Sequence, residues 1–279
     1  MTVAIITDGA ASLPGDCRDS ASITVVPLRV LTGVANGSGP PPATLAAVLA
    51  APPGQIRTSC PAPARYLAAI SQAADGDGAL ICTTAASLSG SHQAALQAAR
   101  RATVPVRVID TGTAAGGQGL IVRADAQAAG SGAGLNAVAV VAERLRADVR
   151  LVGTLDNLDR LVASGRLSRL AGWTAAQLGV HPVFELCDGR IRELRPARTQ
   201  QAAEARMIGR LRAHYRRGSA LHVCALHVSA PQRAQRVLAA VTAWRAPDTA
   251  YISDFDVAMA VHTGPGVVGL AWPWHDRTI

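Results

Sequence analysis

Lysine is absent from all 279 residues, so the 27 basic side chains are all arginine. With so much alanine, this points to a GC-rich genome more than to chemistry. Aromatic residues make up only 3% of the chain, which leaves few platforms for stacking single-stranded nucleic acid. Hydrophobic residues reach 49%, yet no apolar run approaches the length of a membrane span. The opening Met1–Asp8 reads as a short strand that stops at an acid. It lacks the basic and apolar regions of a signal peptide. The five cysteines, Cys17, Cys60, Cys82, Cys187 and Cys224, show no CxxC spacing. Reduced thiols in the cytoplasm are therefore expected. The histidines are scattered, and His222 with Cys224 on one strand face lacks a third ligand, so no metal site is expected. GxxxxGK[ST] and GxSxG do not occur, which argues against a phosphate-binding P-loop and a nucleophile elbow. Gly112–Gly119 follows a strand as a dinucleotide loop does, but Val122 stands where that pattern needs Gly or Ala.

What is present is an alternation. Val3–Thr7 and Ile23–Val30 are β-rich; residues 33–42 are rich in Gly and Pro and continue neither element. Helical spacing marks Ala43–Ala51, Pro63–Ala74 and Gln93–Arg101, with strands at Leu80–Thr83 and Val104–Ile109. This order predicts a parallel sheet with covering helices. Leu135–Arg146 reads as an amphipathic helix and Arg150–Gly153 as a strand. Near residue 149 the pattern changes. Val180–Leu186 and Arg190–Leu194 flank Asp188-Gly189 as a hairpin. Helices at Gln201–Tyr215 and Pro231–Trp244 and strands at Ala220–Val228 and Val267–Ala271 complete an α+β half. The expectation is an α/β protein of two domains, residues 1–148 and 149–279, with no internal repeat and no extended linker.

Two hydroxyl-rich turns stand out. Ala79–Thr83 runs into Thr84-Ala85-Ala86-Ser87-Leu88-Ser89-Gly90-Ser91-His92, with a helix next. Free backbone N–H groups and hydroxyls at a helix start suit an anion, although Ser and Thr are also ordinary caps. Thr58-Ser59-Cys60-Pro61 reads as a second such start, with proline in its first turn. Both are expected at the carboxyl ends of parallel strands, where open sheets bind ligands. Asp8 is either a general base or a strand-end cap. His262-Thr263-Gly264-Pro265-Gly266 is either a structural turn or a place where backbone meets a ligand. Two other classes stay open. Ser89 or Ser91 with His92 or His262 would make a small serine-dependent esterase. The net charge of +8 admits an arginine-rich nucleic-acid binder.

Taken in order, the motifs resemble the DegV family of fatty-acid-binding proteins. The matching stretches are Thr7-Asp8, Thr58-Ser59 with Pro61, Leu88-Ser89-Gly90-Ser91, Val108-Ile109-Asp110-Thr111 and Leu158–Ser168 with Gly165-Arg166-Leu167-Ser168. His181-Pro182-Val183, Asp188-Gly189, Arg198-Thr199 and His262–Gly266 follow. Each is weak alone, but the order spans nearly the whole chain. The resemblance implies two α/β domains of the family's EDD fold, with a long-chain fatty acid buried between them. It implies Thr58, Ser59, Ser89, Gly90, Ser91 and His262 around the carboxylate, with Arg166 and Arg198 contacting phosphate or a partner. That partner is a fatty-acid kinase resembling dihydroxyacetone kinase, which carries the ATP and feeds phospholipid metabolism. The chain itself is then a cytoplasmic carrier with no catalytic residue, metal or cofactor, no specific nucleic-acid partner and at most transient membrane contact. It departs from the family pattern at Gly9, where serine is usual, at Ser91-His92, where Thr-Tyr is commoner, and in the Pro/Gly/Ala-rich stretch between Val30 and Arg57.

Overall fold

The computed structural model describes residues 3–18, 22–32, 44–73, 77–156, 158–165 and 179–275. The elements of the first half are β1 (Ala4–Asp8), α1 (Gly15–Arg18), β2 (Ile23–Val26), β3 (Arg29–Thr32), α2 (Leu45–Ala50), β4 (Ile56–Ser59), α3 (Pro63–Ala73), β5 (Ala79–Thr83), α4 (Ser91–Ala99), β6 (Val106–Asp110), α5 (Ala115–Gly130) and α6 (Leu135–Asp148). Strands β2-β1-β5-β6 form a parallel sheet in that order. β1 and β5 are buried at every position, as strands covered on both faces require. The strand period of two sorts their side chains. Ile5 and Leu80 face Ile121, Val138 and Leu145 of α5 and α6. Ile6 and Ile81 face Tyr66, Ile70, Ala94 and Ala98 of α3 and α4.

The single strand expected over Ile23–Val30 is two strands. Pro27 has no N–H for a ladder, and the chain turns there. Ile23–Val26 joins the parallel sheet, whereas Arg29–Thr32 pairs antiparallel with β4, Val30 opposite Thr58. Thr58 and Ser59 consequently do not open a helix at the end of a parallel strand. They end a strand of a separate two-stranded ribbon, and α3 begins at Pro63. The Gly/Pro-rich stretch 33–42 lies outside the described residues.

The second half adds β7 (Arg150–Thr154), α7 (Asp159–Ala163), β8 (His181–Cys187), β9 (Arg190–Ala197), α8 (Gln200–Ala213), β10 (Ala220–His227), α9 (Pro231–Trp244), β11 (Thr249–Asp254), α10 (Val257–Thr263), β12 (Val268–Trp272) and β13 (Trp274–His275). The mixed sheet runs β11-β10-β12-β7-β8-β9, with β13 also on β10. Asp188 and Gly189 both take positive φ, 48° and 69°, as a type I′ turn demands. On one face Met207, Leu211, Val237 and Val241 of α8 and α9 pack over Val152 and Trp272. The opposite face looks toward the first half.

Helix α5 joins the two. Sequence periodicity did not reveal it, because Gly116, Gly117 and Gly119 weaken a helix. Their reason is contact. A Cβ on Gly116 would stand 2.7 Å from Sγ of Cys224, and one on Gly119 would stand 2.9 Å from the Ser12 carbonyl oxygen. The glycine face lets α5 lie between the sheets at backbone distance.

Candidate functional site

A cavity of about 200 Å3 lies where both halves meet. Thr58, Ser59 and Cys60 reach it from the end of β4. Thr84, Leu88, Ser89 and Gly90 reach it from the loop between β5 and α4. His262, Thr263 and Met259 come from α10, and Leu151, Phe184, Leu186 and Ile191 from the second sheet. Hydroxyls thus gather on the first-half side and α10, and apolar side chains form the remaining wall.

The hydroxyl side is built from local geometry. Leu88 and Ser89 donate their N–H groups to the Ala85 carbonyl, at 2.8 and 3.2 Å, which folds the loop back before α4. Gly90 is the N-cap of α4 and offers no side-chain cap. The Ser91 N–H instead donates to Ser89 Oγ at 3.2 Å. Ser89 thus takes one of the first-turn N–H groups, and the positive end of the helix dipole still favours an anion at this end of α4. Gly90 also sits against Cys60: a Cβ there would stand 3.0 Å from its Sγ. Across the cavity, His262 Nε2 is 2.7 Å from Thr58 Oγ1, which ties α10 to β4.

Of the residues singled out from the sequence, Thr58, Ser59, Ser89, Gly90 and His262 line one cavity. Ser91 does not. It is completely buried, with its Oγ 3.0 Å from Ser89 Oγ and Tyr66 behind it, so it steadies Ser89. Burial pushes the Tyr66 hydroxyl pKa far up, which keeps that hydroxyl neutral. Arg198 is exposed and does not line the cavity, and Arg166 lies outside the described residues. A wider cleft of about 600 Å3 runs beside α5 and α6, lined by Ala124, Ala128, Ala137 and Val141 among others. None of the candidate residues lines it.

The geometry also decides the open roles. His92 turns its Nδ1 to Thr83 Oγ1 at 3.2 Å. Among the described residues neither Ser89 nor Ser91 hydrogen-bonds a histidine, so no serine–histidine pair is assembled here. Asp8 is a structural hub. Its carboxylate accepts from Ala10 N, Thr84 N, Thr84 Oγ1 and Gln118 Nε2 at 2.8–3.1 Å. Gly266 takes positive φ, 79°, and a Cβ there would overlap the Asp156 carboxylate. At Gly264 a Cβ would meet Arg160 Cδ at 2.8 Å. That arginine caps α2 by donating to the Val48, Leu49 and Ala51 carbonyls. The Gly-Pro-Gly turn is therefore shaped by packing, and it holds α10 so that His262 faces the cavity. At Gly9 a Cβ would stand 3.1 Å from the Leu28 N. The link between β2 and β3, whose Leu28 lines the cavity, therefore passes close over it.

The apolar wall was not found from the sequence. Leu151, Phe184, Leu186 and Ile191 carry only the ordinary apolar signal of strands, and their common face depends on strand pairing. Among the described residues no group of three or more His, Cys, Asp or Glu could hold a metal, and no helix is long and apolar enough to cross a membrane.

Comparison with known proteins places this geometry in context. A family profile described as "Uncharacterised protein, DegV family" matches residues 2–273. A DegV domain-containing protein of Streptomyces coelicolor is 34% identical over 275 residues, covering 96% of this chain and 97% of that protein. A fatty acid-binding protein of Thermotoga maritima is 27% identical over 197 residues, 70% of this chain and 68% of that one. Among solved structures, a fatty-acid-binding DegV family protein from Thermus thermophilus superposes with a TM-score of 0.89 at 26% identity, covering 99% of this chain and 100% of that one.

Proposed function

Because the chain belongs to the DegV family, we propose that it binds a long-chain fatty acid in the cavity between its two sheets, tail against the second sheet and carboxylate at Thr58, Ser59, Ser89 and Gly90. The observation that carries this reading is the division of one cavity into a hydroxyl side and an apolar wall. The fatty-acid-binding relatives from Thermus and Thermotoga support it.

The energetics suit a carrier. Burying about 14 methylenes at ~0.8 kcal/mol each contributes on the order of 11 kcal/mol before ordering costs. A hydrogen bond to the charged head nets only ~1.5–3 kcal/mol. The tail holds the ligand, and the hydroxyls set where the carboxylate sits. With Nε2 protonated, His262 donates to Thr58 Oγ1, and the Thr58 hydroxyl hydrogen is then directed at the carboxylate. Neutral donors of this kind leave a carboxylate oxygen nucleophilic toward a phosphoryl group. This chain then acts in the cytoplasm as the presenting subunit of a separate ATP-using kinase that forms the acyl phosphate, with Arg166 and Arg198 meeting the phosphate or the partner. Residues 1–148 and 149–279 are then the two domains between which the acid is buried.

Mass spectrometry of lipid extracted from the purified protein tests the binding. A long-chain fatty acid at near-equimolar ratio is expected; protein that arrives empty and takes up no added acid overturns the reading. Presentation has its own test. Arg166→Ala and His262→Ala are expected to keep lipid but lower acyl-phosphate formation by a partner kinase, and equal loss of lipid binding would assign these groups to holding the ligand instead.

A further inference from the structure

Gly269 of β12 pairs with Gly153 of β7, and Gly153 pairs with Phe184 of β8. Together with Leu226 of β10, opposite Gly269, they form one row across the second sheet: Leu226, Gly269, Gly153, Phe184. The next row on the same face carries Leu151 and Leu186. Two adjacent glycines thus leave a trough across the strands, walled by bulky side chains, and it opens into the cavity. Glycine in a strand interior weakens the strand and marks close approach. Here the approaching group is Phe184. A Cβ on Gly153 would stand 2.7 Å from its Cζ and 3.1 Å from its Cε1, so the ring fills the trough over Gly153, while Leu226 Cδ1 and Leu151 Cδ1 lean over the Gly269 end, 3.2 and 3.5 Å from where a Cβ would stand.

Volume makes this consequential. The cavity measures about 200 Å3, whereas small-molecule pockets commonly enclose ~300–1,000 Å3. The trough is the direction in which space is recoverable, because only backbone lies beneath the ring. Both glycines are buried and Phe184 is half-buried, so the ring can turn off Gly153 without breaking the core on the far face.

We propose that Phe184 sets the length of acyl chain the protein accepts: the tail runs toward Gly153, and the position of the ring over that glycine limits how far. This rests on the fatty-acid reading. The test measures binding of saturated fatty acids of increasing length to delipidated protein, with melting curves to show that each variant folds. Phe184→Ala is expected to move the optimum to longer chains, with affinity rising about fourfold for each further methylene buried. Phe184→Leu should move it by less. Phe184→Trp, and Gly153→Ala, which lifts the ring into the cavity, should move it to shorter chains. An unchanged optimum in folded Phe184→Ala and Phe184→Leu overturns the proposal while leaving fatty-acid binding intact. Wild-type protein that binds no acid of any length overturns both.

Discussion

Asp8 and Asp125 are both completely buried carboxylates, and their surroundings give them opposite characters. Four donors converge on Asp8 from the loop after β1, the loop after β5 and α5. Asp8→Ala would strand those donors at about 1–3 kcal/mol each, and a large drop in melting temperature is expected. Asp125 has a thiol instead: Cys82 Sγ donates to Oδ2 at 3.1 Å, and Oδ1 has no partner among the described residues. Burial raises the Asp125 pKa from 3.8 to about 7, with the thiol bond pulling slightly the other way. Burial likewise keeps Cys82 a protonated donor. The folded chain therefore holds a proton that the unfolded chain releases near pH 4. Stability falls as pH rises from about 4 to about 7, by an amount on the order of a few kcal/mol. Asp125→Asn should abolish that decline and be the more stable protein at pH 8, as thermal melts at several pH values would show. A wild-type melting temperature flat over that range would contradict it. With the carboxylate placed at Thr58 as proposed, Thr58→Val would remove one hydrogen bond to the charged head and weaken binding by about ten- to a hundredfold, read by displacement of a fluorescent fatty acid.

The β8–β9 hairpin also couples the halves at the cavity. Its strands supply Phe184, Leu186 and Ile191 to the wall, and its tip is fastened to the first half. Ser87 Oγ donates to the Gly189 carbonyl at 2.6 Å, and Gly189 N donates to the Gly112 carbonyl at 2.6 Å. Arg146 and Asp188 pair at 3.3 Å but are largely exposed, so that pair contributes little. Ser87→Ala should speed fatty-acid release by about two- to tenfold, the loss of one ~0.5–1.5 kcal/mol bond, while Arg146→Ala leaves it nearly unchanged. Stopped-flow release measures both, and equal rates in Ser87→Ala and wild type would remove the hairpin from the release step. Most elements were readable because they announce themselves locally: Pro at the start of Pro231–Trp244, Asp-Gly in the hairpin, unbroken apolar runs in β1 and β5. Two departures have local causes that act through distant contacts. Pro27 splits one strand between two sheets, and Gly116 and Gly119 of α5 serve neighbours more than a hundred residues away in sequence, Cys224 and Ser12.

At the scale of the molecule, α5 is the shared layer, touching β1 and β5 on one side and β10 and β12 on the other. Gly116→Val would drive a side chain into Cys224 Sγ. Overpacking of this kind costs about 1–3 kcal/mol, and a lower melting temperature with weakened fatty-acid binding is expected, because the same contact sets the distance between the sheets. Calorimetry and a binding titration on that variant check both effects. The sequence by itself determined most of the elements, the parallel sheet of the first half, the α+β character of the second, and the hydroxyl-rich stretches at Thr58-Ser59 and Ser89-Gly90, since helix and strand periods, turns and caps are short-range. Only the tertiary structure decided that these stretches share one cavity with His262, that Ser91 stands behind Ser89, and that Phe184, lying over Gly153, joins Leu151, Leu186 and Ile191 in the apolar wall. Those facts depend on strand register and on how closely two sheets approach across α5, and both are set by packing between segments far apart in the chain.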